Sequence, residues 1–274
     1  MIKQNDKIKA GIIGCGTIGG VIADAIVTRF SKSITLLGVC DVDENKAQAL
    51  VNRLKIKIER LKKDELINKC DLIIEAASGS ISYEVAKDVL SAGKDIIVMS
   101  TGGLLGKPDI SGIAKKSGGK IYLPSGAISG LDGLKSAMMA KVKSVTLTTR
   151  KPPAGLKGAP YIKEKNIDLD SIKKETVIFE GTAEEAVRGF PQNVNVSATL
   201  SMCGLGPKNT KVRIVTSPGY TSNTHEVEIE GDFGKLKTVT ENVPMPTNPK
   251  TSYLAALSAI AVLSDIISSS RIGN

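Results

Sequence analysis

At 274 residues with 41% hydrophobic content, the chain is long enough for two domains or one large one, and it contains no run of about 18 apolar residues, so no membrane helix is expected. The net charge of +9 raises nucleic acid as a partner, but the lysines are spread along the whole chain, Trp is absent and aromatics make up 3%, so platforms for stacking bases are scarce. What remains is a lysine-rich solvated surface, which would attract small anionic ligands.

The opening Met1-Ile-Lys-Gln-Asn-Asp-Lys-Ile8 has neither an apolar core nor a cleavage pattern, so a cytoplasmic protein is expected. Ile8, Ala10, Ile12 and Ile13 then read as a buried parallel strand that stops at Gly14. Gly14-x-Gly16-x-x-Gly19 follows, and after it comes an amphipathic segment with Val21, Ile22, Ala25 and Ile26 on one face. Strand, glycine loop and helix in this order form a dinucleotide-binding fingerprint. Gly14 permits the tight turn, Gly16 lets the backbone approach a pyrophosphate, and Gly19 lets the helix pack on its strand. Gly14, Gly16, Thr17, Ile18 and Gly19 are therefore the candidate phosphate contacts, at a helix N-terminus whose dipole favours negative charge.

A second strand-like run, Ser33 to Cys40, ends in Asp41, 22 residues after Gly19, where a carboxylate would accept hydrogen bonds from the adenosine ribose. Asp41 repels a 2′-phosphate and no Arg follows within Val42–Lys46, so NAD is favoured. Lys46 could still reach a phosphate, which leaves NADP possible. A helix to about Leu54, strands at Leu72–Ala77, Asp95–Met99 and Lys120–Leu123, and helices at Ile81–Ala92, with Ser80 as its cap, and Asp109–Lys116 continue the β–α alternation of a doubly wound parallel sheet. Ser78-Gly79, Ser100-Thr101-Gly102 and Ser125-Gly126-Ala127 fall at strand ends, the edge where open α/β sheets bind ligands. Four cysteines at 15, 40, 70 and 203 form no Cys-x-x-Cys pair and read as reduced thiols; no cluster has metal-ligand spacing, so no metal is expected.

Beyond Ala137 the texture changes. Val142–Arg150, Glu175–Phe179, Lys211–Val215, His225–Glu230 and Lys235–Val239 are strand-like, the last two joined as a hairpin through Gly231-Asp-Phe-Gly234, which predicts a second, largely antiparallel sheet. Thr182–Gly189 and Asn193–Leu200 read as helices, Lys151–Lys165 as a loop, and Ser252–Ser269 as a long apolar helix returning to the first domain. His225 is the one histidine of the chain, so any step needing an imidazole must use it.

The fingerprint, Pro124-Ser-Gly-Ala-Ile-Ser-Gly-Leu-Asp132, Thr149-Arg-Lys-Pro-Pro153, Gly189-Phe-Pro-Gln-Asn-Val-Asn195, Asn223-Thr-His225 and Pro246-Thr-Asn-Pro-Lys-Thr-Ser252 together resemble the L-aspartate dehydrogenase family. The resemblance covers nearly the whole chain. It implies NAD(P)-dependent oxidation of L-aspartate to iminoaspartate, which hydrolyses to oxaloacetate and ammonia or feeds NAD biosynthesis, and it implies a homodimer. It puts the family's active-site histidine on His225 and its cofactor-contacting residues on Ala127 and Asn193. Domains are expected at 1–124 plus 252–274, for the dinucleotide, and at 125–251, for substrate and dimerisation. His225 is the expected base, and Arg150, Lys151 and Lys250 are the candidate cations for the substrate carboxylates. Another two-domain dehydrogenase such as a homoserine dehydrogenase, a non-catalytic NAD sensor and a nucleic-acid binder are the rival readings.

Overall fold

A computed structural model describes residues 7–191, 195–245, 248–270 and 272–273. The chain divides into two compact units, one of Met1–Pro124 with Ala259–Ser270, the other of Ser125–Ser258 with Arg271–Asn274.

In the first unit the alternation produces β1 (Ile8–Ile13), α1 (Thr17–Thr28), β2 (Ile34–Cys40), α2 (Glu44–Leu54), a two-residue β3 (Glu59–Arg60), α3 (Lys63–Lys69), β4 (Leu72–Glu75), α4 (Gly79–Ser91), β5 (Asp95–Val98), α5 (Ile110–Ser117) and β6 (Ile121–Tyr122). All pairings of this sheet are parallel, in the order β3-β2-β1-β4-β5-β6. The period of two sorts each strand's apolar residues onto two cores. Ala10, Ile12, Leu72, Ile74 and Ile97 join Ile22 and Ile26 of α1 on one face. Ile13, Ile73, Ile96 and Val98 join Val85, Ala86 and Val89 of α4 on the other. Caps mark the helix starts: Asp43 accepts from the Asn45 N–H before α2, and Asp109 accepts from the Ser111 and Gly112 N–H groups before α5. The α4 helix begins earlier than its sequence suggests, with Ser78 and not Ser80 at the cap position; their hydroxyls bond each other at 2.8 Å.

The second unit contains α6 (Leu131–Ala137), β7 (Val142–Lys151), α7 (Pro160–Glu164), β8 (Thr176–Thr182), α8 (Ala183–Gly189), α9 (Asn195–Cys203), β9 (Thr210–Thr216), β10 (Asn223–Gly231), β11 (Gly234–Asn242), β12 (Pro244–Met245) and β13 (Asn248–Ser252). Its five-stranded sheet runs β11-β10-β7-β9-β8. The hairpin closes where Gly231 faces Gly234. Every pairing is antiparallel except β7 with β9, because the chain between these two runs through α7, β8, α8 and α9, and so long a crossover permits parallel entry. A reciprocal capping box between Thr182 and Glu185 starts α8. The stretch expected as a loop after Lys151 instead holds a helical turn at Pro153–Gly155 and then α7, each with proline in its first turn, where a missing N–H costs nothing. One sheet face packs Val145, Leu147, Val212, Ile214, Val227 and Ile229 against Ala183, Ala186, Phe190 and Leu200. The final helix, α10 (Tyr253–Ile267), contributes Ala259, Ile260 and Leu263 to the first unit's core.

Candidate active site

In the first unit, the candidate site is the loop between β1 and α1. Gly14 sits at φ +101°, and a Cβ there would lie 2.5 Å from the Ala76 and Ala77 backbone. At Gly19 a Cβ would lie 2.0 Å from the Gly14 carbonyl oxygen. Both positions are closed to larger residues, as the fingerprint requires. Gly16 differs, because a Cβ there meets no atom within 4 Å. It is the N-cap of α1 and provides no side-chain cap, so the first-turn N–H groups open onto free space above the helix end. A pyrophosphate fits that cradle, with Thr17 and Ile18 half-buried beside it.

Asp41 follows β2 at the lip of the loop. Its carboxylate accepts from the Cys15 N–H at 2.7 Å and from the Asp43 N–H at 2.9 Å, which fixes it in place while leaving further lone pairs for ribose hydroxyls. Burial, then the Asp41 charge, pushes the Cys15 thiol up to about 12, so this cysteine stays protonated and inert.

Glu75, at the end of β4, is a group that sequence reasoning missed. Its side chain is fully buried and accepts from the Ala77 N–H at 2.9 Å and the Ser100 N–H at 3.1 Å. Burial raises its pKa against the opposing pull of those donors. The two loops it ties, around Ser78 and Ser100, are also joined by the Ser82 hydroxyl, which donates to the Ser100 carbonyl at 3.0 Å. The only signal in the sequence is a carboxylate closing an otherwise apolar run.

In the second unit, a separate candidate site lies on the helix-covered face of the five-stranded sheet. His225 of β10 stands directly opposite Thr149 of β7, and the Thr149 hydroxyl bonds its Nδ1 at 2.9 Å. Lys151, two residues along β7, shares that face. Both are buried, His225 to 3% exposure and Lys151 to 5%. Leu147, Leu156, Val196 and Ile214, with Thr149 and Ser197, line the largely apolar crevice at Lys151, and burial there lowers its amine to about 8. Burial, then the Lys151 charge, brings the His225 imidazole down to about 3. Lys151 also lines a cavity of about 660 Å³ with Lys157, Phe190, Thr221, Asn223 and Pro244, within the range of small-molecule sites.

Arg150, expected to hold a carboxylate, is not brought to this cavity. Alternation along β7 turns it to the other sheet face, where it lies 3.4 Å from the Glu226 carboxylate. Ala127 is buried, and its carbonyl accepts from the Asn242 Nδ2 at 3.1 Å. Asn242 itself was not foreseen; its Oδ1 is buried with no hydrogen-bond partner among the described residues. Asn193 lies outside the described residues, and Lys250 stands on β13 with its side chain outside what is described.

Residues 14–124 match the family model described as homoserine dehydrogenase, NAD binding domain, and residues 132–266 match that described as aspartate dehydrogenase, C-terminal. The L-aspartate dehydrogenase of Methanosarcina mazei is 48% identical over 97% of this chain and 99% of its own length. The chain belongs to the aspartate dehydrogenase family. A more distant member, the L-aspartate dehydrogenase of Bradyrhizobium diazoefficiens, is 39% identical over 94% of this chain and 91% of its own. Among solved structures, aspartate dehydrogenase from Thermotoga maritima covers 98% of this chain and all of its own at 28% identity and a TM-score of 0.75. A scyllo-inositol dehydrogenase from Lactobacillus casei, 14% identical with a TM-score of 0.56, shares the fold alone. The family's fingerprint and its distinctive second unit are thus both present, and Lys151 and His225 belong to the part that the aspartate dehydrogenase model matches.

Proposed function

We propose that this chain oxidises L-aspartate to iminoaspartate with NAD as electron acceptor, the imine then taking up water to give oxaloacetate and ammonia. The observation that carries the reading is the buried Lys151 at a cavity, with buried His225 on the same sheet face, in a chain that matches L-aspartate dehydrogenases over 97% of its length. A dinucleotide, when bound, accepts the hydrogen and electron pair leaving the substrate α-carbon. This chain's own residues hold the phosphates at Gly14–Gly19 and the ribose at Asp41, and handle the ammonium proton at the second unit. The first unit is read as the nucleotide-binding domain and the second as the catalytic one.

NAD rather than NADP is supported by the Asp41 carboxylate at the loop lip, and by Lys46, which lies 3.8 Å from Asp43 instead of standing alone. From the resemblance we also carry a homodimer, located in the cytoplasm, whose product feeds NAD biosynthesis. Four free cysteines accord with a reducing compartment.

The test is NADH formation at alkaline pH from L-aspartate, run beside homoserine, glutamate and malate, and repeated with NADP. Turnover confined to aspartate and faster with NAD is expected. Turnover of homoserine instead would move the chain to the neighbouring dehydrogenase class, and tight NAD binding without turnover of any of them would make it a sensor.

A further inference from the structure

The division of labour between Lys151 and His225 follows from how the sheet presents them. Thr149 and Lys151 stand on one face of β7, and His225 stands on the same face of β10 with its Nδ1 tied to the Thr149 hydroxyl at 2.9 Å. That bond occupies one ring nitrogen and fixes the plane of the ring. Lys151, in contrast, ends a strand, enters an apolar crevice and also borders the 660 Å³ cavity, where Asn223 and Thr221 supply polar groups. Lys151 therefore borders the space in which a small substrate would lie.

We propose that Lys151 is the proton acceptor of the reaction, taking the proton of the substrate α-ammonium at its Nζ, and that His225, held by Thr149, is a positioning residue. This rests on the aspartate-oxidising reading. In the step, an N–H bond of the substrate ammonium breaks and an Nζ–H bond forms on Lys151. The freed nitrogen lone pair then makes the C=N bond as the α-hydrogen leaves with its electron pair to the dinucleotide, which is reduced. Lys151 returns the proton to water before the next turnover.

The chemistry of the two groups agrees with this order. An amine lowered to about 8 by burial is partly neutral in the mildly alkaline range and basic enough to receive a proton from an ammonium. An imidazole brought down to about 3 holds almost no proton at any working pH. Besides Lys151, the one ionisable residue lining the cavity among the described residues is Lys157, a like charge on the loop after β7; His225 faces from β10.

The experiment uses the full chain as wild type, Lys151→Arg, Lys151→Met and Lys151→Ala, with NADH formation from L-aspartate and calorimetric binding of succinate as two separate readouts. Arginine keeps the positive charge but gives up no proton, so a base and a carboxylate anchor part company there. Both Lys151→Arg and Lys151→Met are expected to lose about 10²–10⁴-fold in kcat with little change in KM, the size of a general-base contribution. Succinate should bind Lys151→Arg as it binds the wild type, and added ethylamine should restore turnover to Lys151→Ala in proportion to its free-base concentration. Lys151→Arg with near wild-type kcat, together with a raised KM and weakened succinate binding in Lys151→Met, overturns the proposal in favour of an anchor. Should the variants fail to fold, the wild-type kcat decides: a rise between about pH 7 and about pH 9 supports the base, and a flat profile removes it. A wild type that turns over no aspartate sinks the functional reading itself, and this inference with it.

Discussion

Lys151 and His225 are both held below their unfolded values, about 8 against 10.5 and about 3 against 6.5. Between those limits the unfolded chain binds more protons than the folded one, so stability rises with pH across each window. For His225 the contribution is complete above about pH 6.5 and drains as pH falls toward 3, at about 1.4 kcal/mol per unit. The urea midpoint should accordingly drop between about pH 7 and about pH 5, and His225→Gln should flatten that fall; an equal fall in the variant would assign it to the carboxylates. Lys151 acts in the other window. Near neutral pH the fold carries a charged amine against an apolar wall, at a cost on the order of 1–3 kcal/mol. Lys151→Met is therefore expected to melt higher than the wild type at neutral pH while turning over poorly. A lower melting temperature would mean that the amine's polar contacts outweigh its burial, and that its place in the fold is structural.

At the level of elements, the glycine loop separates folding from binding within six residues. A side chain at Gly19 collides with the Gly14 carbonyl, whereas one at Gly16 enters open space at an ordinary φ of −73°. Gly19→Ala should lower the melting temperature and the yield of folded protein. Gly16→Ala should melt with the wild type yet raise the KM for NAD by an order of magnitude or more, about 1.4 kcal/mol or greater. If Gly16→Ala leaves that KM unchanged, the pyrophosphate does not lie over this helix end. The loop was legible in the sequence because three glycines at fixed spacing sit between an apolar run and an amphipathic one, and Asp41 closes the next strand. The face on which Arg150 and Lys151 lie was carried only by the alternation of Val145 and Leu147 upstream, because Thr148-Thr-Arg-Lys151 itself has no apolar member. Pairing resolved it, by setting His225 opposite Thr149. Glu75 and Asn242 were hidden for a related reason: their partners are the Ser100 N–H, 25 residues away, and the Ala127 carbonyl, 115 residues away, and backbone groups carry no sequence signal.

Over the whole molecule, the proposed function gives two different binding chemistries to two compact units with apolar cores of their own, and the net charge of +9 favours anions at both. Ligand linkage can read the two separately. Free NAD at about a hundred times its Kd should add about 2.7 kcal/mol of stability, which for a chain of this size raises Tm by roughly 5–10 °C. Succinate, a dicarboxylate without an amine to lose, should also raise Tm when added alone. The variants then sort the two effects. Gly16→Ala is expected to lose most of the NAD shift and keep the succinate shift, while Lys151→Arg keeps both, since only proton acceptance is gone there. A succinate shift that appears only when NAD is present would mean that the cavity at Lys151 does not by itself hold a dicarboxylate. The shifts should shrink as salt is raised, because screening weakens the attraction of a basic surface for either anion. Scanning calorimetry at two ionic strengths thus tests, in one series, the dinucleotide cradle, the dicarboxylate cavity and the electrostatic account of how a chain this basic attracts small anions.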